Sequence, residues 1–267
     1  MKKNSMKAKL RDGKNVVGTF VYIPDPGIPE LLGGLGYDFV ILDMEHSATD
    51  WMLLQDMIRG CELGGVTPVV RMANGDIENI GRALDLGAQG IILPHIRSVD
   101  EAQAFAAALR YPPQGNRGAC SVVRASRYFL DDWADHQIQS NEEVFGIGLI
   151  EDACALGCVT EIAAVPGLDA LLVGRVDLGA SMGVNGLGDS PALIAAAEQI
   201  RRDGLAGGAE VASILYDASG AAEAVAKGSR ILIYSLDYKV LRSAYQAAIT
   251  AIAAALPPSA QGTNKAA

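Results

Sequence analysis

Eight short, almost wholly apolar runs alternate with amphipathic helical patterns, and that alternation predicts a closed (β/α)8 barrel. Runs that are apolar at every position suit parallel strands buried on both faces. The 267 residues match the size of one such domain, about 250 residues. A doubly wound open sheet is the alternative, and it usually has fewer strands.

The strand-like runs cover 16–22, 37–42, 67–71, 90–93, 145–151, 170–173, 210–215 and 230–233. Between them, apolar residues recur at helical spacing. Trp51, Leu54, Met57, Ile58 and Cys61 form one stripe, Ile77, Ile80 and Leu84 a second, and Ala102, Phe105, Ala106 and Leu109 a third. Asp50 is placed to cap the first of these helices, and Ser98 with Glu101 reads as a capping box for the third. Glycines 36, 65, 90 and 167 stand where helices return to strands. Two segments break the rhythm. Residues 111–143 form a long connection with arginines at 117, 124 and 127, and connections of that length usually have a job. Residues 182–190 are Gly-rich and read as a mobile lid. The expected organisation is a flexible tail over 1–14, one barrel domain over 15–256, and a flexible tail over 257–267.

Composition removes several functions. Half the residues are hydrophobic and the net charge is −9, which argues against nucleic acid as a general partner. No stretch of 18 uninterrupted apolar residues exists, so no membrane span is expected. Basic residues near the start are followed by no apolar segment and are interrupted by Asp12, so they read as a solvated tail. Cys61, Cys120, Cys154 and Cys158 show no disulfide framework, and a reducing cytoplasm is expected. Cys154 and Cys158, four apart, are expected to pack in the core, with a metal pair as the alternative.

A barrel gathers its strand ends on one face, and chemistry sits there. Arg71, Glu151 and Asp177 fall where strand runs end, and His46 falls just past another. Two carboxylates suit a hard divalent cation, an arginine suits a developing negative charge, and an imidazole can move a proton. Surface capping and ion pairing are the bland alternatives: Arg71 with Glu45 or Asp43, and Glu151 and Asp177 as helix-start charges. His95 is a second candidate imidazole, and His136 is expected to be peripheral. No lysine lies between Lys14 and Lys227, which removes a Schiff-base amine from strands two to seven, with Lys239 the exception.

The motifs 38–46 (Asp-Phe-Val-Ile-Leu-Asp-Met-Glu-His), 68–71, 84–90, 110–118, Ile150-Glu151 and 173–183 together resemble the HpcH/HpaI family of 2-oxo-acid aldolases. The resemblance runs from about residue 15 to 250. It implies a metal-dependent class II aldolase that joins pyruvate, or a close 2-oxo acid, to an aldehyde. It implies a divalent ion, Mg2+, Mn2+ or Co2+, on Glu151 and Asp177. His46 matches the base, Arg71 the transition-state stabiliser, and Asp85 the residue that raises the histidine's basicity. Arg71, Val176 and Asp177 match substrate-binding positions. Trimers or hexamers that exchange a C-terminal helix are also implied. Asp85 falls at the opposite pole from its own His46, so it is expected to reach His46 of a neighbouring copy.

Three departures stand out. Leu149 replaces a usual Gln, Arg175 and Val176 replace Pro-Ala, and Tyr234-Ser-Leu-Asp237 lacks a usual glycine. Leu149 removes a polar contact to the bound oxo acid, so the donor or acceptor preference is expected to differ from the usual one. An acyl-CoA lyase of the related citrate lyase type, using Arg124 and Arg127 for phosphates, is one alternative, and a non-catalytic oxo-acid-binding barrel is another.

Overall fold

The computed structural model describes residues 2–73, 75–188 and 190–257. Eight strands close a barrel in sequence order: β1 (Val16–Val21), β2 (Phe39–Asp43), β3 (Thr67–Arg71), β4 (Gly90–Leu93), β5 (Phe145–Ile150), β6 (Ala170–Val173), β7 (Glu210–Leu215) and β8 (Ile231–Leu236). Every neighbouring pair is parallel, and β8 returns to β1. Closure rules out the open sheet.

Alternation along the strands builds two cores. In β2, Phe39 and Ile41 point into the barrel with Val69, Ile92, Ile147 and Leu172. Val40 and Leu42 point outward against the helices. Both sets are fully buried, which is why the runs read as continuous apolar segments rather than alternating ones. The helices around the barrel are α2 (Gly27–Gly34), α3 (Trp51–Gly64), α4 (Ile80–Leu86), α5 (Val99–Ala108), α6 (Trp133–Glu143), α7 (Val159–Ala163), α8 (Arg175–Ser181), α9 (Pro191–Ala206), α10 (Ala221–Ala226) and α11 (Asp237–Ala255). Asp50 caps α3 by accepting the Leu53 N–H at 2.8 Å. Ser98 accepts from the Glu101 N–H at 3.2 Å, but the Glu101 carboxylate takes the N–H of Arg97, so only half of the capping box forms. Glycines 36, 65 and 167 hold φ of +93°, +73° and +95°, which L side chains rarely adopt.

Several expectations change. Residues 5–11, expected within a solvated tail, form helix α1 (Ser5–Arg11) on the barrel floor. Met6 and Leu10, four apart, enter the barrel core. Asn4 donates to the carbonyls of Gln89 and Glu143, and Lys7 donates to that of Val144 while facing Asp169 at 3.2 Å. Residues 258–267 of the expected C-terminal tail lie outside the described residues. The 111–143 connection is structured, with a 3-10 turn at Arg124–Ser126 and helix α6. Ile77 precedes α4 instead of starting it. The 182–188 segment folds back on α8, with the Val184 N–H on Gly179 O at 2.8 Å. Cys154 is exposed on a 3-10 turn, whereas Cys158 is half-buried and packs against the outer core as expected. Their alternative, a metal pair, gains nothing from a third ligand: among the described residues no three His, Cys, Asp or Glu side chains converge as a metal centre.

Strand β8 runs three residues past its expected end, through a bulge. Gly18 and Phe20 of β1 are two apart, whereas their partners Ile233 and Leu236 are three apart. Ser235 absorbs the extra residue at φ +52°. This is the position where a glycine fits best, and the sequence supplies none.

Candidate active site

The polar run after β2 folds around Asp43. This carboxylate is fully buried, and its Oδ1 accepts the N–H groups of Glu45 and His46 at 2.8 and 2.9 Å. The resulting turn keeps both side chains at the barrel mouth. Asp43 Oδ2 pairs with Nη2 of Arg71, the last residue of the adjacent β3. The same Nη2 donates to Tyr22 Oη at 2.9 Å. Arg71 is 8% exposed, and its guanidinium lies 5.2 Å from the Phe20 ring centroid. Burial alone pulls its pKa down, but the Asp43 carboxylate more than reverses that. The Arg71 Nε is buried and has no hydrogen-bond partner. Glu45 Oε2 lies 3.7 Å from it, and 3.6 Å from His46 Nε2. Burial raises the Glu45 pKa, against the opposing charge of Arg71.

Glu151 directly follows β5 and is 3% exposed. Its Oε1 accepts the His95 N–H at 3.0 Å. His95 holds φ +58°, a strained conformation for a residue with a side chain, which turns its N–H inward. Its Nδ1 sits 2.9 Å from Asp152 Oδ2 and 3.6 Å from Glu151 Oε1. Among the described residues, no lysine or arginine forms an ion pair with Glu151. Burial therefore pushes its pKa up to about 7, and the charge of Asp177 adds to the rise.

Asp177 is exposed in the first turn of α8, after the neighbouring strand β6. Gly174 lies between that strand and the helix. Its φ is −86°, so no special backbone geometry calls for glycine. What matters is space: a Cβ there would fall 2.2 Å from Glu151 Oε2. The two carboxylates, one buried without a lysine or arginine and one open, suit a divalent ion that keeps water and substrate in its other positions. Gly174→Ala is expected to displace the Glu151 carboxylate and weaken Mn2+ binding roughly 10–100-fold. A metal titration checks this, and unchanged affinity contradicts it.

The barrel mouth thus gathers Arg71, Glu151, Asp177, His46 and His95, with His46 57% exposed at its side chain. Val176 is exposed beside Asp177. Asp85 is not among them. It sits in the last turn of α4, near the floor, bound to Arg117 at 2.6 Å. Asp43, Glu45, Tyr22 and Asp152 belong to the site, although the sequence offered two of them only as ion-pair partners of Arg71. Their signal was the density of polar residues directly after apolar strands. Arg124 is tied to Glu62 and Arg127 to Asp131, so both arginines offered for phosphates are ion-paired. Lys239 lies over the Tyr216 ring. His136 is buried in the 111–143 connection, and burial drops its pKa to about 4. A groove of about 890 Å³ between α1, α3 and that connection is lined by Arg124 and Arg127 and by none of the barrel-mouth residues.

A family profile described as HpcH/HpaI aldolase/citrate lyase matches residues 17–244. The chain is 35% identical over 195 residues to a pyruvate aldolase of Rhizobium etli, covering 73% of this chain and 76% of that one. It is 36% identical over 194 residues to a hydroxypyruvate/pyruvate aldolase of Sagittula stellata, covering 73% and 76%. The crystal structure of an HpcH/HpaI aldolase/citrate lyase family protein from Burkholderia cenocepacia superposes with a TM-score of 0.87 at 30% identity, covering 94% of this chain and 99% of that chain. Matched along nearly all of its barrel in sequence and in shape, the chain belongs to the HpcH/HpaI aldolase/citrate lyase family.

Proposed function

We propose that this chain is a divalent-metal-dependent class II aldolase. It cleaves and forms 4-hydroxy-2-oxo acids, with pyruvate or a close 2-oxo acid as one product and an aldehyde as the other. The observation that carries this reading is Glu151: a buried carboxylate with no lysine or arginine partner, given room by Gly174 and set beside Asp177. Related chains are named pyruvate and hydroxypyruvate/pyruvate aldolases, and members of the family generally depend on a divalent metal. Glu151 and Asp177 are the residues that hold Mg2+, Mn2+ or Co2+. When bound, the ion supplies a Lewis acid for the carboxylate and keto oxygens of the donor, worth several kcal/mol of charge stabilisation.

The protein's own groups do the rest. Asp43 and Tyr22 occupy Nη2 of Arg71, which leaves Nη1 and the Nε–H to donate to the donor's developing oxyanion. His46 takes the proton of the acceptor hydroxyl in cleavage and returns it in synthesis. Asp85 of a second copy orients and polarises that imidazole. Val176 and Asp177 line the donor side. Leu149 is buried in the barrel core and offers no hydrogen bond to the oxo acid, so donor choice rests on Arg71 and the ion.

The subunit arrangement follows from apolar surfaces. Helix α11 buries none of its 19 residues, and Val240, Leu241, Tyr245, Ile249 and Ile252 stay open. Residues 127–129 hold positive φ and present Tyr128, Phe129 and Leu130 to solvent. Surfaces of that kind mark an interface, and a second copy, within a trimer or hexamer, is the occupant that also completes the His46 site. No helix among the described residues is long and apolar enough to cross a membrane. The free cysteines suit a cytoplasmic location.

The test is pyruvate release from free 4-hydroxy-2-oxo acids after chelation and metal addition. Saturable release that returns with Mg2+, Mn2+ or Co2+ supports the reading. Activity confined to acyl-CoA thioesters, or no activity with any ion, overturns it.

A further inference from the structure

We propose that Arg117 is the positioning residue that aims Asp85 out of its own subunit towards the histidine of a second copy. This rests on the reading above, in which Asp85 serves His46 of a neighbour. Arg117 has no solvent-exposed side-chain surface, and it spends its donors asymmetrically. Nη2 donates to Asp85 Oδ1 at 2.6 Å, and Nη1 donates to Ser140 Oγ at 3.0 Å. Nε is buried without a partner. The guanidinium lies 4.3 Å from the Tyr111 ring centroid. Tyr111 is itself fixed: it is fully buried, its N–H donates to Asn141 at 2.7 Å, and its carbonyl accepts from the same side chain at 3.1 Å.

A charge this deeply buried is costly unless its geometry serves a purpose. Here the geometry fixes one oxygen of Asp85 and leaves the other open. The Asp85 side chain is 26% exposed, and among the described residues Oδ2 meets no donor. A carboxylate on the last turn of a short helix has several rotamers. Arg117, clamped between Ser140 and the Tyr111 ring, selects one of them. Burial pushes the Asp85 pKa up, and Arg117 pulls it back. This gives the long 111–143 connection a purpose. Its start supplies Arg117 and Tyr111, and α6 supplies Ser140 and Asn141.

The experiment compares Asp85→Asn, Arg117→Met, the double variant and Ser140→Ala, each reconstituted with Mn2+. It reads kcat, KM, Mn2+ affinity and thermal midpoint. The expected result is that Asp85→Asn and Arg117→Met each lower kcat by a similar factor, roughly 10–100-fold. KM and Mn2+ affinity stay unchanged, and the double variant is no worse than either single one. Ser140→Ala, which spares both charges, lowers kcat by a smaller factor. Multiplicative losses in the double variant, or a fall in Mn2+ affinity alongside kcat, overturn the positioning role. If Arg117→Met does not fold, Ser140→Ala decides, and unchanged kcat there overturns the proposal. A wild-type kcat in Asp85→Asn sinks the Asp85 reading itself. A slow Asp85→Asn beside normal Arg117→Met and Ser140→Ala sinks only the role of Arg117.

Discussion

Arg71→Lys is expected to lose roughly 10²–10³-fold in kcat, equivalent to about 3–4 kcal/mol, while retaining the fold. The guanidinium does two things at once. One amino group is consumed by the fully buried Asp43 and by Tyr22, which pins the arginine in place. Nη1 and the Nε–H remain, the latter buried without a hydrogen-bond partner and 3.7 Å from Glu45 Oε2. A lysine ammonium satisfies Asp43 but cannot also present a second donor at a fixed angle to the substrate oxygen. That separates catalysis from stability. Arg71→Ala leaves Asp43 ionised and unpaired in the core, which costs roughly 3–5 kcal/mol of folding stability, so it confuses the two. Steady-state kinetics on Arg71→Lys, with the thermal midpoint measured alongside, check the prediction. Wild-type kcat in Arg71→Lys contradicts it.

Deleting residues 2–11 is expected to destabilise the barrel severely, although the candidate site lies at the other end. Helix α1 plugs the floor. Met6 is fully buried against the barrel interior, and Leu10 is nearly so. Replacing Met6 alone with alanine costs roughly 2–5 kcal/mol. Each kcal/mol shifts the midpoint of a domain this size by roughly 2–4 °C. The deletion removes both side chains and exposes the carbonyls of Gln89, Glu143 and Val144 that Asn4 and Lys7 now satisfy. Differential scanning calorimetry of Met6→Ala and of the deletion measures the effect. A midpoint within a few degrees of wild type in the deletion means α1 is a passenger.

The sequence made the barrel legible because its strands are buried on both faces. Runs such as 90–93 and 170–173 have no polar face to confuse with a helix. Helix α1 was hidden for the opposite reason. Its two core residues, Met6 and Leu10, are surrounded by Lys7, Lys9 and Arg11, so the segment reads as a solvated basic stretch. The gathering of Arg71, Glu151 and Asp177 at one barrel mouth was also legible, since they fall at or just beyond strand ends. Their partners were less so. Asp43 reads only as an ion-pair partner for Arg71, yet it also shapes the Glu45–His46 turn while anchoring Arg71. Such a role depends on contact between adjacent strands 28 residues apart. Gly174 has an ordinary φ, and what it contributes is the missing Cβ beside Glu151, which only the folded structure shows. His95 ranked second in sequence, and its positive φ, invisible there, is what brings its N–H to Glu151. Asp85 is the extreme case, because the partner proposed for it belongs to another chain.

The most direct measurement is Mn2+ binding to the metal-stripped protein, followed by titration calorimetry, for wild type, Glu151→Ala and Asp177→Ala. Binding at one site per chain in wild type is expected, with affinity reduced beyond detection in Glu151→Ala and sharply lowered in Asp177→Ala. Metal-dependent exchange of the pyruvate methyl protons should disappear in parallel. Wild-type Mn2+ affinity in either variant, or proton exchange that survives without any ion, contradicts a site built on these two carboxylates.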